Sequence, residues 1–165
     1  MHKMSYFSKK IISWQKINGR NNLPWQAKSP YHVWISEIML QQTQVKTVIP
    51  YFHKFIKSFP SIKSLAKSDL DKVLANWSGL GYYTRAKNIH RASKIIHQKF
   101  NGIIPNDYEQ LIELPGIGES TAGALLSLAF DEPGIILDGN VKRVLLRFLG
   151  DKSPINHSRT QKELK

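Results

Sequence analysis

Glu37 is set apart by its neighbours: it is the only charged residue between Tyr31 and Val45, and bulky apolar side chains flank it. Burial among such residues disfavours the ionised form of a carboxyl group, so we expect the pKa of Glu37 to be raised. A carboxylic acid that stays protonated near neutral pH can act as a general acid. The alternative, a solvated position on an exposed helix face, fits the flanking residues less well.

Asp138 is the second candidate carboxylate. It follows an apolar run at residues 135–137 and precedes Gly139-Asn140. The same pattern also permits a plain N-cap for a helix that begins near Val141. An acid paired with a carboxylate supplies what hydrolysis of a glycosidic bond requires, because one group protonates the leaving group and the other stabilises the positively charged sugar.

A turn rich in small residues lies between two helical patterns at residues 111–123, LIELPGIGESTAG. We expect Gly116 and Gly118 to take positive φ and to let a ligand approach the backbone. The second helix should start at Glu119, with its unpaired N–H groups directed outward as an anion site. A simple packing junction between two helices explains the small residues as well, since Pro-Gly-x-Gly alone is a weak signal.

The charge balance favours a polyanionic partner. The 165 residues hold 24 Lys and Arg against 12 Asp and Glu, a net charge of +12, although a general bias toward lysine would give the same count. The chain contains no cysteine, which excludes disulfides, thiolate zinc sites, cysteine nucleophiles and cysteine-ligated clusters within it. No apolar run approaches the roughly 20 residues that span a bilayer, and the N-terminus makes a poor signal peptide. We therefore expect an intracellular protein that does not bind membranes, cytoplasmic and associated with the nucleoid if it is bacterial.

Helical periodicity runs through nearly the whole chain and predicts an all-α fold with short connections. The expected helices are one ending at Asn18-Gly19, one at 31–42, one from about Pro50 to Pro60, two short ones capped by Ser61 and Ser68, one at 83–100, one capped by Asn106, and one from Glu119. Only residues 134–137 look strand-like, and they are too isolated to form a sheet. Residues 158–165 begin a helical pattern that stops without a breaker, which suggests a truncated chain.

Two motifs carry a family resemblance. The hairpin followed by residues 137–141 (LDGNV) resembles the helix-hairpin-helix DNA glycosylase superfamily, and residues 34–45 (WISEIMLQQTQV) resemble the adenine DNA glycosylases of the MutY family. The resemblance implies a six-helix barrel with the hairpin at residues 20–132, and an incomplete second helical domain made of residues 1–19 and 133–165. It also implies a monovalent cation on the hairpin at 114–118. Family members usually continue into a 4Fe-4S cluster held by four cysteines and a domain that recognises 8-oxoguanine, and this chain has no cysteine ligands for such a cluster.

The resemblance also assigns chemical roles. Glu37 would protonate adenine at N7 and later activate water, Asp138 would stabilise the sugar cation, and Asn140 would orient Asp138 or the sugar. In the endonuclease III relatives, which also cut the strand, a lysine at the position of Ser120 forms a Schiff base. Ser120 therefore excludes lyase chemistry through this position and implies a monofunctional enzyme.

The remaining matches concern double-stranded DNA that carries adenine opposite 8-oxoguanine or guanine. Tyr82, within residues 79–86 (GLGYYTRA), would intercalate beside the oxidised guanine. Core packing is the alternative for Tyr82 and Tyr83, but two adjacent tyrosines cannot both face one core. The other expected DNA contacts are Gln41, Gln42, Thr43, Leu114, Gly116, Gly118 and Thr121, and the expected lining of the base pocket is Trp25, Gln26 and Leu40. Candidates for phosphate contacts are Arg85, Lys87, Lys142 and Arg143, although for each of them taken alone a solvated charge is the favoured interpretation.

Three functional interpretations follow. The first is an adenine-specific, monofunctional glycosylase that acts as a monomer, and whose 165-residue form is weak or inactive unless the rest of the chain is supplied. The second is a DNA-binding fragment without catalysis, which would bind DNA in a salt-dependent manner and release no base. The third is an endonuclease III-like glycosylase for pyrimidine lesions, against which Ser120 argues.

Overall fold

The computed structural model describes residues 6–26 and 29–154. Within these ranges the chain forms helices and no strands, which confirms the predicted all-α fold. The helices are α1 (Tyr6–Asn18), α2 (Pro30–Leu40), α3 (Val45–Ser58), α4 (Ile62–Ala66), α5 (Leu70–Trp77), α6 (Thr84–Lys99), α7 (Tyr108–Ile112), α8 (Glu119–Ala129) and α9 (Gly139–Leu149). The helical pattern noted at 158–165 lies outside the described residues.

Helix α2 forms the centre of the core. Trp34, Ile35 and Met39 are fully buried, and α2 packs against α3, α6 and α8. A helix that is apolar around most of its circumference must be covered on several sides. The central position of α2 follows from its composition, and it places Glu37 among other elements rather than on an open face.

Of the three serine and asparagine N-caps predicted for the short helices, one agrees with the structure and two are displaced by one residue. Ser61 caps α4, with reciprocal hydrogen bonds to Ser64. The expected cap at Ser68 is wrong, because Asp69 precedes α5 and the Ser68 hydroxyl donates back to the Leu65 carbonyl. The expected cap at Asn106 is also wrong. Asp107 holds that position, and its carboxylate accepts the Gln110 N–H at 3.0 Å.

Residues 134–137, which looked strand-like, lie between α8 and α9 without helix or strand structure. They cross α8 where Gly123 and Gly134 meet, and a Cβ on Gly134 would lie 2.1 Å from the Gly123 carbonyl oxygen. The first and last described helices also touch, since the rings of Phe7 and Phe148 stack with centroids 4.0 Å apart. None of the helices in the described ranges is long and apolar enough to cross a membrane.

Candidate functional site

Glu37 lies in the last half of α2 and is half-buried. Burial raises the pKa of Glu37 above its ordinary value, and the negative charge of Asp138 raises it further. The upward direction agrees with the expectation from the flanking apolar residues. The contribution of Asp138 also means that the two carboxyl groups, far apart in the sequence, lie within electrostatic range of each other.

Asp138 is the N-cap of α9. Its Oδ1 atom accepts the backbone N–H of Asn140 at 2.9 Å and that of Val141 at 2.8 Å. The capping alternative is therefore correct, and it does not compete with a chemical role, because both bonds use a single oxygen of an exposed carboxylate. The N-terminal end of α9 favours a negative charge at this position.

Asn140 supports Asp138 through its backbone. The side-chain oxygen of Asn140 instead accepts a hydrogen bond from Arg143 Nη2. The contact of Asn140 with Asp138 is therefore made by its backbone N–H and not by its side chain.

The hairpin between α7 and α8 contains one glycine in the left-handed region, not two. Gly116 has φ +82°, and a Cβ there would lie 2.9 Å from Cβ of Asn88. Gly118 has φ −96° and is the N-cap of α8, without a side-chain cap. The expectation of positive φ at both glycines is wrong for Gly118. This residue has an ordinary backbone angle, and what distinguishes it is that the N-cap of α8 has no side chain. Leu114 and Thr121, on either side, are buried.

Ser120 is the second residue of α8. It lies beside a cleft of about 470 Å³, whose walls also include Glu119, Leu137 and Lys142. The cleft therefore joins the hairpin helix to the segment that leads into Asp138.

Two loops lie close to the end of α2, and each presents an exposed side chain, Gln42 in one and Tyr82 in the other. The 41–43 turn (Gln41, Gln42 and Thr43) follows α2 directly, and Gln41 Nε2 lies 3.5 Å from Thr121 Oγ1 on the hairpin helix. The wedge loop, which we define as residues 79–83, precedes α6 and presents Tyr82 with 59% of its surface exposed. Tyr83 is exposed as well, so neither tyrosine belongs to the core.

Arg85 is not a surface charge. Its side chain is 7% exposed, and its guanidinium group donates to carbonyl oxygens at the end of α2 and in the wedge loop. The prediction of a phosphate contact at Arg85 is wrong, because the side chain is buried and both of its terminal nitrogens donate to groups inside the protein. The other candidates fit a surface position: Lys87 and Arg143 are exposed and Lys142 is half-buried.

The residues expected to line a base pocket have different surroundings. Trp25 is buried, with its ring 5.3 Å edge-on from that of Phe52. Gln26 is exposed, and its side chain closes the loop by accepting from the Leu23 N–H and donating to the Arg20 carbonyl. Leu40 is half-buried at the end of α2.

The chain does not fit a cysteine-ligated cluster. It contains no cysteine, and within residues 6–26 and 29–154 no group of three or more His, Cys, Asp or Glu side chains could hold a metal ion.

The chain is similar to a family of known proteins over most of its length. The family described as "HhH-GPD superfamily base excision DNA repair protein" matches residues 35–165. A protein of Buchnera aphidicola subsp. Baizongia pistaciae named "Adenine DNA glycosylase" is 62% identical over 143 residues, which cover 86% of this chain and 41% of that protein. A protein of the same name from Rattus norvegicus is 40% identical over 151 residues, or 86% of this chain and 29% of that protein. The chain thus spans less than half the length of these curated relatives.

Two solved structures share the fold. A thermostable thymine-DNA glycosylase superposes with a TM-score of 0.84 at 24% identity, covering 93% of this chain and 72% of that one. Endonuclease III in a non-covalent complex with DNA superposes with a TM-score of 0.77 at 22% identity, covering 94% and 74%. The helix-hairpin-helix glycosylase fold implied by the sequence is confirmed.

Proposed function

Because the chain belongs to the HhH-GPD superfamily of base excision DNA repair proteins, we propose that it hydrolyses the N-glycosidic bond of adenine opposite 8-oxoguanine or guanine in double-stranded DNA. The observation that carries this proposal is the half-buried Glu37, whose pKa is raised by burial and by the charge of Asp138. The relatives named adenine DNA glycosylase supply the choice of base.

In this proposal Glu37 acts first as a general acid. Its raised pKa keeps a proton on the carboxyl group at a pH where an ordinary glutamate is ionised, and that proton goes to the departing adenine. The resulting carboxylate can then accept a proton from the attacking water. Asp138, anchored through one oxygen by the N-terminus of α9, stabilises the positive charge that develops on the sugar.

The target adenine must leave the helical stack to reach these groups. We assign the grip on the DNA backbone to the start of α8, where the N-cap residue Gly118 has no side chain that could cap the helix. Tyr82 and the 41–43 turn, which are both in contact with Arg85, would fill the space vacated by the adenine and contact the orphaned base. Trp25, Gln26 and Leu40 are the proposed surroundings of the extruded adenine. A monovalent cation on the hairpin at 114–118 belongs to the same proposal.

Ser120 limits the reaction to hydrolysis. A serine has no amine with which to form a Schiff base with the sugar, so this position cannot open the strand-cutting route. A monofunctional glycosylase follows.

The proposed domain division is a barrel at 20–132 and a second, partial helical unit made of residues 1–19 and 133–165. The stacking of Phe7 on Phe148 supports it, because it joins the two outer segments to each other. Activity, partners, monomeric state and intracellular location of the whole protein are part of the same proposal.

The test is release of adenine from a duplex with a single adenine opposite 8-oxoguanine, measured under single-turnover conditions. We expect release by the 165-residue protein and at least a 100-fold loss in Glu37→Gln, with DNA binding by anisotropy retained in both. Binding that falls with salt but yields no free base from wild type would instead favour the DNA-binding fragment. Release from a duplex with an oxidised pyrimidine, and none from the adenine duplex, would favour the endonuclease III-like alternative.

A further inference from the structure

Gln42 and Tyr82 share an unusual backbone conformation. Both have side chains with Cβ atoms, yet their φ angles are +56° and +51°. This left-handed region is disfavoured for such residues, because Cβ approaches the following carbonyl oxygen. Both residues are also exposed, so the conformation directs two side chains outward from neighbouring loops.

Arg85 binds the carbonyl that immediately precedes each of these residues. Its Nη1 donates to the Gln41 carbonyl at 2.6 Å, and its Nη2 donates to the Gly81 carbonyl at 3.2 Å. Holding a carbonyl fixes the peptide plane that sets the next φ angle. One buried guanidinium group therefore supports both left-handed residues.

The same group is anchored to the end of α2. Nη1 also donates to the Ile38 and Met39 carbonyls, at 3.1 and 2.7 Å, and Nη2 donates to Thr43 Oγ1 at 3.1 Å. Carbonyls at the C-terminal end of a helix carry partial negative charge and favour a cation. The position of the guanidinium group is thus set by the helix that carries Glu37.

Two aromatic rings lie near the guanidinium group, one from the wedge loop and one from the end of α5. Its central carbon lies 5.3 Å from the centroid of the Tyr82 ring and 5.4 Å from that of the Trp77 ring. Trp77 Nε1 donates to the Gly81 carbonyl at 3.0 Å, so this carbonyl is held twice. Tyr82 is therefore seated on the same group that binds its backbone.

We infer that Arg85 is a positioning residue that joins the wedge loop and the 41–43 turn into one unit and fixes the spacing of Tyr82 and Gln42. The partners of those two side chains rest on the proposed function, whereas the coupling of the two loops through Arg85 does not. A lysine cannot replace the arginine, because one ammonium nitrogen cannot reach both loops in the fixed fork geometry of a guanidinium.

Hydrogen exchange of backbone amides tests the coupling without any need for activity. The Thr43 N–H is bonded to the Leu40 carbonyl and the Leu80 N–H to the Trp77 carbonyl, one on each side of Arg85. In Arg85→Lys we expect exchange at both amides to accelerate together, by at least 10-fold, and by more than at the Leu65 amide in α4. Acceleration at only one of them, or an equal acceleration at Leu65, would overturn the inference.

His90→Gln is the matched control for loss of a buried polar contact. It removes the bond between His90 Nε2 and the Ser68 carbonyl, on the other side of α6, and should leave exchange at Thr43 and Leu80 unchanged. Thr43→Val serves if the lysine variant does not fold, since it removes one bond to Arg85 from the turn. It should accelerate exchange at Leu80 in the wedge loop, and an unchanged Leu80 amide would contradict the coupling.

The preference of the enzyme for one base opposite the adenine provides a second measurement, which a simple loss of stability would not change. We expect the ratio of adenine release opposite 8-oxoguanine to release opposite guanine to fall at least 10-fold in Arg85→Lys and to stay constant in His90→Gln. A constant ratio in both variants would overturn the inference. If the wild-type protein releases no adenine, the proposed function fails for this chain and the exchange data alone decide the role of Arg85.

Discussion

Gly123 and Gly134 lie in direct backbone contact. A Cβ on Gly123 would stand 2.0 Å from the Ile135 carbonyl oxygen, and one on Gly134 would stand 2.1 Å from the Gly123 carbonyl oxygen. Both distances are far shorter than any Cβ contact tolerates, and the atoms they meet are backbone. Gly123 belongs to α8, which packs against α2, the helix that carries Glu37. Gly134 belongs to the segment that leads into Asp138. The crossing therefore holds Asp138 within electrostatic range of Glu37.

We expect Gly123→Ala to separate the two carboxyl groups. The added methyl must push residues 133–137 away from α8, and misplacement by about 1 Å can cost about 100-fold in rate. The unfolding free energy should fall by about 1–3 kcal/mol, as for other overpacked sites. Single-turnover adenine release and urea unfolding measure the two effects.

Ser127→Ala is the control for this crossing. It removes the bond from the Ser127 hydroxyl to the Gly123 carbonyl and leaves the glycine contact in place, so release should stay within a few-fold of wild type. A Gly123→Ala protein with unchanged release would show that the crossing does not set the site.

The raised pKa of Glu37 makes both activity and stability depend on pH. Between the ordinary pKa of a glutamate and the raised one, the folded state binds more protons than the unfolded state. The contribution of this group is therefore complete at acid pH, and the unfolding free energy decreases as the pH rises through the raised pKa. Adenine release should decline over the same window, because the acid form is lost.

Glu37→Gln removes the titrating group and so should remove this dependence. The difference in unfolding free energy between wild type and Glu37→Gln, followed by urea unfolding from acid to alkaline pH, should shift in favour of the variant as the pH rises. A difference that is constant across the series would rule out a perturbed carboxyl at position 37.

Ser120→Lys should introduce covalent chemistry. A lysine there would place an amine on α8, at the cleft that also includes Leu137 next to Asp138, where it can attack the sugar and form a Schiff base. Borohydride reduction followed by denaturing electrophoresis should show protein–DNA adducts above the wild-type level. Adducts at the wild-type level would count against the position assigned to the sugar.

The two hairpin glycines should respond differently to alanine. Gly116→Ala places a Cβ in a left-handed residue, against Asn88, so the unfolding free energy should fall by about 1–2 kcal/mol. Gly118→Ala meets no atom within 4 Å and has an ordinary φ, so the loss of stability should be smaller and limited to the poorer N-cap that alanine makes. If the start of α8 binds a phosphate, Gly118→Ala should nevertheless weaken DNA binding by crowding the ligand.

Thermal unfolding and anisotropy titrations at one fixed salt concentration separate these effects. Equal losses of stability in the two variants would contradict the backbone angles, and full DNA affinity in Gly118→Ala would move the phosphate contact away from the start of α8.

Local features of the site were accessible from the sequence. The apolar neighbours of Glu37 predicted the direction of its pKa shift, because desolvation comes mainly from side chains on and around the same helix. The capping role of Asp138 could be foreseen as an alternative, since an N-cap is a relation among residues two or three apart. The one-residue differences at Ser68 and Asn106 arise because an acceptable capping side chain follows each of them directly.

Arg85 could not be placed in the same way. A basic residue at the start of a helix rich in lysine and arginine is ordinarily solvated, and its actual partners are mostly backbone carbonyls, which leave no trace in the choice of amino acids. Gly123 and Gly134 left a faint signal as small residues, but nothing local identifies which backbone each one must meet.

The sequence by itself determined which segments are helical, which turn precedes a helix without a capping side chain, and which side chains can act as an acid and as a carboxylate. These properties are local, because periodicity, capping and desolvation act over a few residues. Only the tertiary structure decided that Glu37 and Asp138 lie within electrostatic range of each other and that Arg85 binds two loops to α2. Those relations depend on the contact of Gly123 with Gly134 and on carbonyls distant along the chain, and such contacts form only when the packed helices bring their backbones together.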